Sequence, residues 1–400
     1  MTPAPAPEPA RYLRPARILL LIAACALGLA FIARNKGGPW TNDILAYWSY
    51  ARVMWNGGNP YDYNHVVALQ AEYGLPTTSY TPLHYPPWAL PLILPFGLLE
   101  FSTSQVAWLL FQVGLVVFCS QRIWHLYGGS PQHKWLAWFI SFTFMPTFSS
   151  LALTGQITPL MLLGATMFLH WVDRPSRGWL AGAFTILLAI KPQAFYLFFI
   201  VLLFWVITKH RWNTLVGLGV GVLSGSLAAM LIQPSIFSQY LEAVVSHPPA
   251  GGATPTIGYF ARLLFAPQAF ALQWIGPALG VTWLLFYWAR CRKAWDWRRH
   301  LPVVLCVSAI TSFYTFTYDH IVLLIPAIAL LLLAFRSHQR TAGLALAAAY
   351  ILTNLAYFIL HLRLDDSWFL WFPVAILALY LAARRLTPQP GPVLAPEANP

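Results

Sequence analysis

Charge is the scarcest property of this chain. Asp, Glu, Lys and Arg make up 9% of its 400 residues, where a soluble domain carries roughly 25%. With 58% hydrophobic residues and a mean hydropathy of +0.60, this excludes a soluble globular fold and leaves an all-α, polytopic integral membrane protein. Cysteine is also rare. Cys25, Cys119, Cys291 and Cys306 lie in or beside apolar runs without C-x-x-C spacing, which excludes a disulfide framework and a cysteine zinc site. There is no G-x-G-x-x-G, Walker A, H-E-x-x-H, G-x-S-x-G or D-x-D, and that argues against a nucleotide-using or zinc enzyme. The net charge of +12 is spread over short loops, with no stretch that reads as a nucleic-acid-binding element.

Where apolar runs are present, they are many. Residues 1–17, Pro/Ala-rich and basic, read as a disordered cytoplasmic tail, and 386–400 as its C-terminal counterpart. The "IAAC" of Ile22–Cys25 matches a lipoprotein pattern, but too few apolar residues precede it for a signal-peptide core. The run is therefore expected to be an uncleaved anchor. A crossing needs about 20 apolar residues, fewer if it ends in a protein-lined cavity. On that basis about twelve crossings are expected, at 18–33, 104–121, 135–151, 156–172, 179–190, 194–208, 213–232, 271–289, 301–317, 321–335, 341–360 and 367–384, forming one domain over 18–385. With the N-terminus inside, eighteen of the twenty-four Lys and Arg fall on the cytoplasmic side, as the positive-inside rule requires. Merging 179–208 into one crossing would invert every later loop and place "RCRKAWDWRR" outside, so two short crossings meeting at Lys191 and Pro192 are preferred. The two long loops, 34–103 and 233–270, then face outward, and binding or catalytic groups belong there.

Three hairpins turn on polar tips: "TGQITP" at 154–159, "IKPQ" at 190–193 and "FTYDH" at 316–320. Their flanking runs are short, so the tips are expected below the outer surface, where charge is retained only if paired or facing a wet cavity. Lys191 is then either a cavity cation or a snorkelling anchor. Asp319 and His320 are either cavity residues or part of an interface loop.

The first outer loop carries "WTNDILAYWSYARVMWNGGNPYD" at 40–62, one early acid among six aromatics. Thr41 or Asn42 can cap a helix starting at Asp43, and Gly57-Gly58 ends it. Such a helix is too polar to span and suits the outer interface, with Asp43, Tyr47, Tyr50 and Met54 sharing one face. Asp43 is then a general base aimed into the cavity, or simply a favourable partner for the helix dipole. The Pro-rich "SYTPLHYPPWALPLILPF" at 79–96 cannot form a regular helix. Its His84 and Tyr85 either reach the cavity or pack the loop.

The segments "NDILAYWSYARVMWNGGNPYD", "HYPPWALPLILPF", "TGQITPLMLLGATMFLHW", "LLAIKPQAFYLFF" and "YTFTYDHIVLLIPAI", in this order over about 40–330, resemble glycosyltransferase family 87. This is a family of the GT-C superfamily of membrane glycosyltransferases that draw on lipid-phosphate sugars, and it includes polyprenyl-phosphate-mannose-dependent α-mannosyltransferases. The resemblance implies transfer of a hexose, mannose above all, from a polyprenyl-phosphate sugar to a lipid or glycan acceptor hydroxyl on the outer face of the cell membrane, with inversion. It implies that Asp43 takes the acceptor proton. For the departing phosphate it leaves Lys191 and His320 as candidates, with Asp319 beside them. Gln156, Gln193, His84, Tyr85 and Tyr47 are then candidates for the sugar. No cofactor and no obligatory metal are expected, a divalent cation remaining open. The nineteen Trp either stack on sugars or form an interfacial belt.

Three rivals stand beside this reading. A lipid-linked-sugar flippase also needs midplane charge, but would favour internal repeats, which are not apparent. A pentosyl (arabinofuranosyl) transferase uses the same logic with another sugar. A noncatalytic scaffold leaves Lys191, Asp319 and His320 without a role.

Overall fold

The computed structural model describes residues 42–75, 85–246 and 252–387. The expected tail at 1–17, the crossing at 18–33, the Thr41 cap, His84 and nearly all of the C-terminal tail lie outside the described residues. Within them every regular element is helical and no strand occurs.

The helix expected in the first outer loop is present as α1, Asn42–Trp55, and ends where Gly57 takes φ +74°. Every residue from Ile44 to Ala51 is buried. The helix is thus packed into the protein on all sides, where an amphipathic helix leaves one face for lipid. The reason is local. After α2, Tyr63–Glu72, the Pro-rich segment forms two 3₁₀ turns, Pro87–Leu92 and Leu94–Leu98, because its prolines lack the N–H groups of an α-helix. Carbonyls are left over, and α1 supplies donors for them. Trp48 Nε1 donates to Leu99 O at 2.9 Å, Trp55 Nε1 to Leu94 O at 2.8 Å and Arg52 to Gly97 O at 3.2 Å. Gly97 permits the approach, since a Cβ there would lie 2.6 Å from that of Ala51.

Next come α3, Phe101–Leu126, and α4, Lys134–Thr143. The chain then bends by 68° into α5, Met145–Phe148, and a π-helical turn, Ser149–Thr154. Pro146 starts the new segment, and Asn354 accepts from the Met145 N–H at 3.0 Å. α6 is Thr158–Trp171. α7, Gly178–Phe184, continues as a 3₁₀ helix to Ile190, and α8 is Tyr196–Lys209. The rest is α9, Trp212–Ile232; α10, Ile236–Ser246; α11, Ile257–Phe265; α12, Ile275–Cys291; α13, Trp297–Thr311; α14, Leu324–Arg336; α15, Arg340–His361; and α16, Trp371–Leu386.

Among the described residues, six helical stretches are long and apolar enough to cross a membrane on their own: 101–126, 212–232, 270–294, 317–336, 340–361 and 366–386. The crossing expected at 135–151 is the bent pair. Those expected at 156–172, 194–208 and 301–317 are helices of 14, 14 and 15 residues. They are short because each stops at a buried polar turn, as does the stretch ending at Ile190.

Lys191 interrupts the helical run with φ −128° and ψ 71°, and the packing of α7 on α9 shows what the break does. A Cβ on Gly182 would lie 1.8 Å from Thr214 O, and one on Gly217 would lie 1.9 Å from Trp179 O. Gly178 sits against Asn213 and Thr214 at one end, Gly182 also reaches Leu218 and Gly217 also reaches Ala183, and Gly221 meets Ala183 and Ile186 at the other end. Rising numbers pair with rising numbers, so α7 and α9 run parallel with their backbones in contact. The intervening α8 therefore runs back, and the chain reverses at Lys191 and Pro192.

At the centre lies α14, buried over nearly its whole length. Around it Phe168, Phe198 and Trp297 pack with centroids 4.7 to 5.8 Å apart, an arrangement that adds to burial through the ring quadrupoles. A second apolar cluster joins α1 to the 3₁₀ turns and to Ile157, Leu187 and Ile190.

Candidate active site

The three polar hairpin tips converge between these two clusters, and α1 meets them there. Gln156 is the connecting residue. Its backbone is fixed by Gly155, which takes the left-handed φ of +64° after the π-helical turn, and by α3. Trp108 Nε1 donates to Gly155 O at 2.7 Å, and Gln112 Nε2 donates to Gly155 O at 3.3 Å and to Gln156 O. The Gln156 side chain then uses both its ends. Nε2 donates to Asp43 Oδ2 at 2.6 Å, while Oε1 accepts from Tyr47 at 2.9 Å, Tyr85 at 3.3 Å and Lys191 Nζ at 3.5 Å. The two tyrosine hydroxyls are 2.9 Å apart.

Lys191 completes the cluster with an ion pair to Asp319 Oδ1 at 2.7 Å. Its ammonium also lies 4.6 Å from the centre of the Tyr318 ring and 5.8 Å from that of Tyr85, within cation–π range. Asp319 is held by the turn it belongs to: Oδ2 accepts from Phe316 N–H at 2.9 Å and Thr315 Oγ1 at 3.3 Å. Behind it, Asp366 accepts from Thr317 Oγ1 at 2.8 Å and braces the same turn.

Tyr47, Gln156, Lys191 and Asp319 are all buried, whereas Asp43 and Tyr85 are only partly covered. The cluster is thus open on the Asp43 side. The loss of hydration there still dominates the carboxyl's behaviour. Burial lifts Asp43 from 3.8 to about 6, against the opposing effects of the Gln156 donor and the Lys191 charge, while Asp319 raises it further. An acid of this kind is ionised at neutral pH yet is a stronger base than an ordinary carboxylate.

Of the residues expected from the sequence, Asp43, Tyr47, Tyr85, Gln156, Lys191 and Asp319 share this network. Lys191 is therefore a paired interior cation rather than a snorkelling anchor, and Asp43 does more than face a helix dipole. Two of the candidates lie outside the network. His320 is fully buried, lies 6.3 Å from Phe372 in a near-parallel stack, and has no hydrogen-bond partner on either ring nitrogen among the described residues. The 3₁₀ helix Thr317–Leu323 turns about 120° per residue, so with Asp319 facing the cluster His320 faces the core. Gln193 is half-buried and makes no hydrogen bond to the cluster. Trp108, Gln112, Thr315 and Tyr318 were not expected. For Gln112 the signal was present, an amide inside an apolar crossing. The others gave none.

Among the described residues, no three His, Cys, Asp or Glu side chains come together as a metal site. Comparison with known families matches residues 83–316 to glycosyltransferase family 87, a span that includes Tyr85, Gln156 and Lys191 and stops short of Asp43 and Asp319. No curated protein and no solved structure matches the chain. With more than half its length covered, the chain belongs to glycosyltransferase family 87.

Proposed function

From that membership we propose that the chain transfers a hexose, mannose above all, from a polyprenyl-phosphate sugar to a hydroxyl of a lipid or glycan acceptor at the outer face of the cell membrane. The observation that carries the proposal is the partly open Asp43 carboxylate, held through Gln156 to the Lys191–Asp319 pair. An acceptor hydroxyl entering from the open side gives its proton to Asp43 as its oxygen attacks the anomeric carbon. The bond from that carbon to the phosphate oxygen breaks with its electron pair, leaving polyprenyl phosphate and an inverted anomeric centre.

The charges of the cluster suit this sequence. Before reaction one ammonium faces two carboxylates. As Asp43 gains its proton, Lys191 is left with a single carboxylate partner while negative charge grows on the departing phosphate. Lys191 is the cation in place for that oxygen, so no obligatory metal is needed. Tyr47, Tyr85 and Gln156 are the donors and acceptors for sugar hydroxyls.

The test is transfer by purified protein in lipid from a panel of labelled polyprenyl-phosphate sugars to a membrane glycolipid extract. Transfer from the mannose donor supports the proposal in full. Transfer only from a pentose donor keeps the chemistry and corrects the sugar. Movement of lipid-linked sugar across the bilayer with no transfer would overturn it in favour of a flippase.

A further inference from the structure

At the other end of the molecule, a cavity of about 210 Å³ is lined by Arg122, His125 and Leu126 of α3, His170 of α6, Asp173 and Arg174 just beyond it, and Arg298 of α13. The Asp43–Lys191 cluster lies at the opposite ends of the same elements, since Gln156 precedes α6 and Asp319 follows α13. With 14 residues in α6 and a rise of 1.5 Å each, the two sites are about 20 Å apart.

Three guanidiniums and two imidazoles here face a single carboxylate. That carboxylate, Asp173, is engaged by Arg298 at 3.2 Å. Arg122 and Arg174 have no carboxylate within ion-pair distance among the described residues. They rest on rings instead, Arg122 at 5.6 Å from Phe118 and Arg174 at 4.9 Å from Trp171. The Nε of Arg298 is buried with no acceptor among the described residues. Basic residues at helix C-termini are individually favourable, and a bias towards one side of the membrane is ordinary. Neither explains why cations from three separate elements converge around one small cavity against their mutual repulsion.

We propose that this cavity binds a phosphate group. A planar guanidinium fork matches phosphate oxygens in pairs, and the anion would relieve the repulsion. The volume is below the roughly 300 to 1,000 Å³ of sites that enclose whole small molecules, which fits a headgroup or a free anion. The phosphate comes from an anionic phospholipid at the membrane surface or from solution.

The test uses the full chain. Phospholipid retained after detergent extraction is titrated by native mass spectrometry with phosphatidylglycerol and with phosphatidylcholine. Separately, lipid-free protein in neutral detergent is melted in inorganic phosphate and in chloride of equal ionic strength. Arg122→Gln with Arg174→Gln is compared with Lys209→Gln with Arg340→Gln, which removes the same charge outside the cavity. The expected result is selective binding of phosphatidylglycerol, weakened about tenfold or more by the cavity pair and unchanged by the control pair. Protection by inorganic phosphate with no lipid selectivity identifies the free anion as the source and equally supports the site. Equal losses in both pairs, or no preference for either phosphate over its control, would overturn it. If the cavity pair does not assemble, Arg174→Gln alone, at an exposed position, gives the same comparison.

Discussion

Replacing Asp43 by Asn should separate activity from stability. The amide is nearly isosteric, and Gln156 Nε2, now 2.6 Å from Oδ2, can donate to the new side-chain carbonyl. What disappears is the proton acceptor, so transfer should fall by about 10² to 10⁴, equivalent to about 3 to 5 kcal/mol of barrier. Stability should move the other way. Burial raises the folded-state value from 3.8 to about 6, so the folded protein holds this proton more tightly than the unfolded chain does. Wild type is therefore relatively favoured at low pH and loses stability as pH rises through about 4 to 6. Above that window the ionised carboxylate costs the fold about 1 to 3 kcal/mol, discounting for its partial exposure, and the amide variant is spared this. Thermal unfolding in detergent from pH 4 to 8, alongside transfer in lipid, reads both quantities. The variant should equal wild type near pH 4, exceed it at pH 7, and be inactive throughout. A variant that is less stable at pH 7, or within tenfold of wild-type activity, would refute the reasoning.

Other perturbations probe the neighbours. Gln156→Met removes the donor that holds the Asp43 carboxyl down, so the acidic limb of the transfer profile should move above about pH 6; an unmoved limb would detach it from Asp43. Lys191→Met strands Asp319 and should lower stability by about 3 to 5 kcal/mol. Adding Asp319→Asn should restore most of that loss in a denaturation assay without restoring transfer. Gly155→Ala forces a Cβ into the left-handed region at about 1 to 2 kcal/mol and displaces Gln156, so transfer should fall further than the unfolding midpoint alone accounts for. Gly217→Ala places a methyl on Trp179 O and should destabilise by about 1 to 3 kcal/mol through overpacking of α7 on α9.

The reversal at Lys191 was legible because charge carries topology: only a split at 191 keeps the basic loops on one side, and the parallel packing of α7 and α9 agrees. The convergence of Asp43, Gln156, Lys191 and Asp319 was legible for a related reason, since short apolar runs ending in polar tips must bury those tips. Side-chain direction inside a tight turn was not. Asp319 and His320 are adjacent and point about 100° to 120° apart in either kind of helix, so only one of them can face the cluster, and which one is set by the phase of the turn, which periodicity over two residues does not contain. Among the described residues six of the expected crossings are long enough to span on their own, and the others are the bent pair and shorter helices that end at buried polar turns. Apolar content measures what can be buried, and here much of it is buried against α14 and its neighbours.

The tryptophans show where compositional reasoning stops. Read from the sequence they were either sugar platforms or an interfacial belt, and both readings treat the indole as a ring. In the fold, Trp48, Trp55, Trp88 and Trp108 are used as donors, each giving its Nε1–H to a carbonyl of an irregular segment: Leu99, Leu94, Ala189 and Gly155. A site assembled from Pro-rich turns and hairpin tips leaves many backbone carbonyls unpaired in a setting with little water, where each would be costly. A large apolar side chain with one donor at its edge meets that need without adding charge. Around the cluster, the scarcity of charge and the use of Trp as a donor are thus two sides of one constraint, whereas Trp138, Trp171, Trp295 and Trp297 bury their Nε1 without an acceptor among the described residues. Irregular backbone can be kept deep enough to form the cluster only if neutral donors close it, and the few charges are then left for the cluster itself.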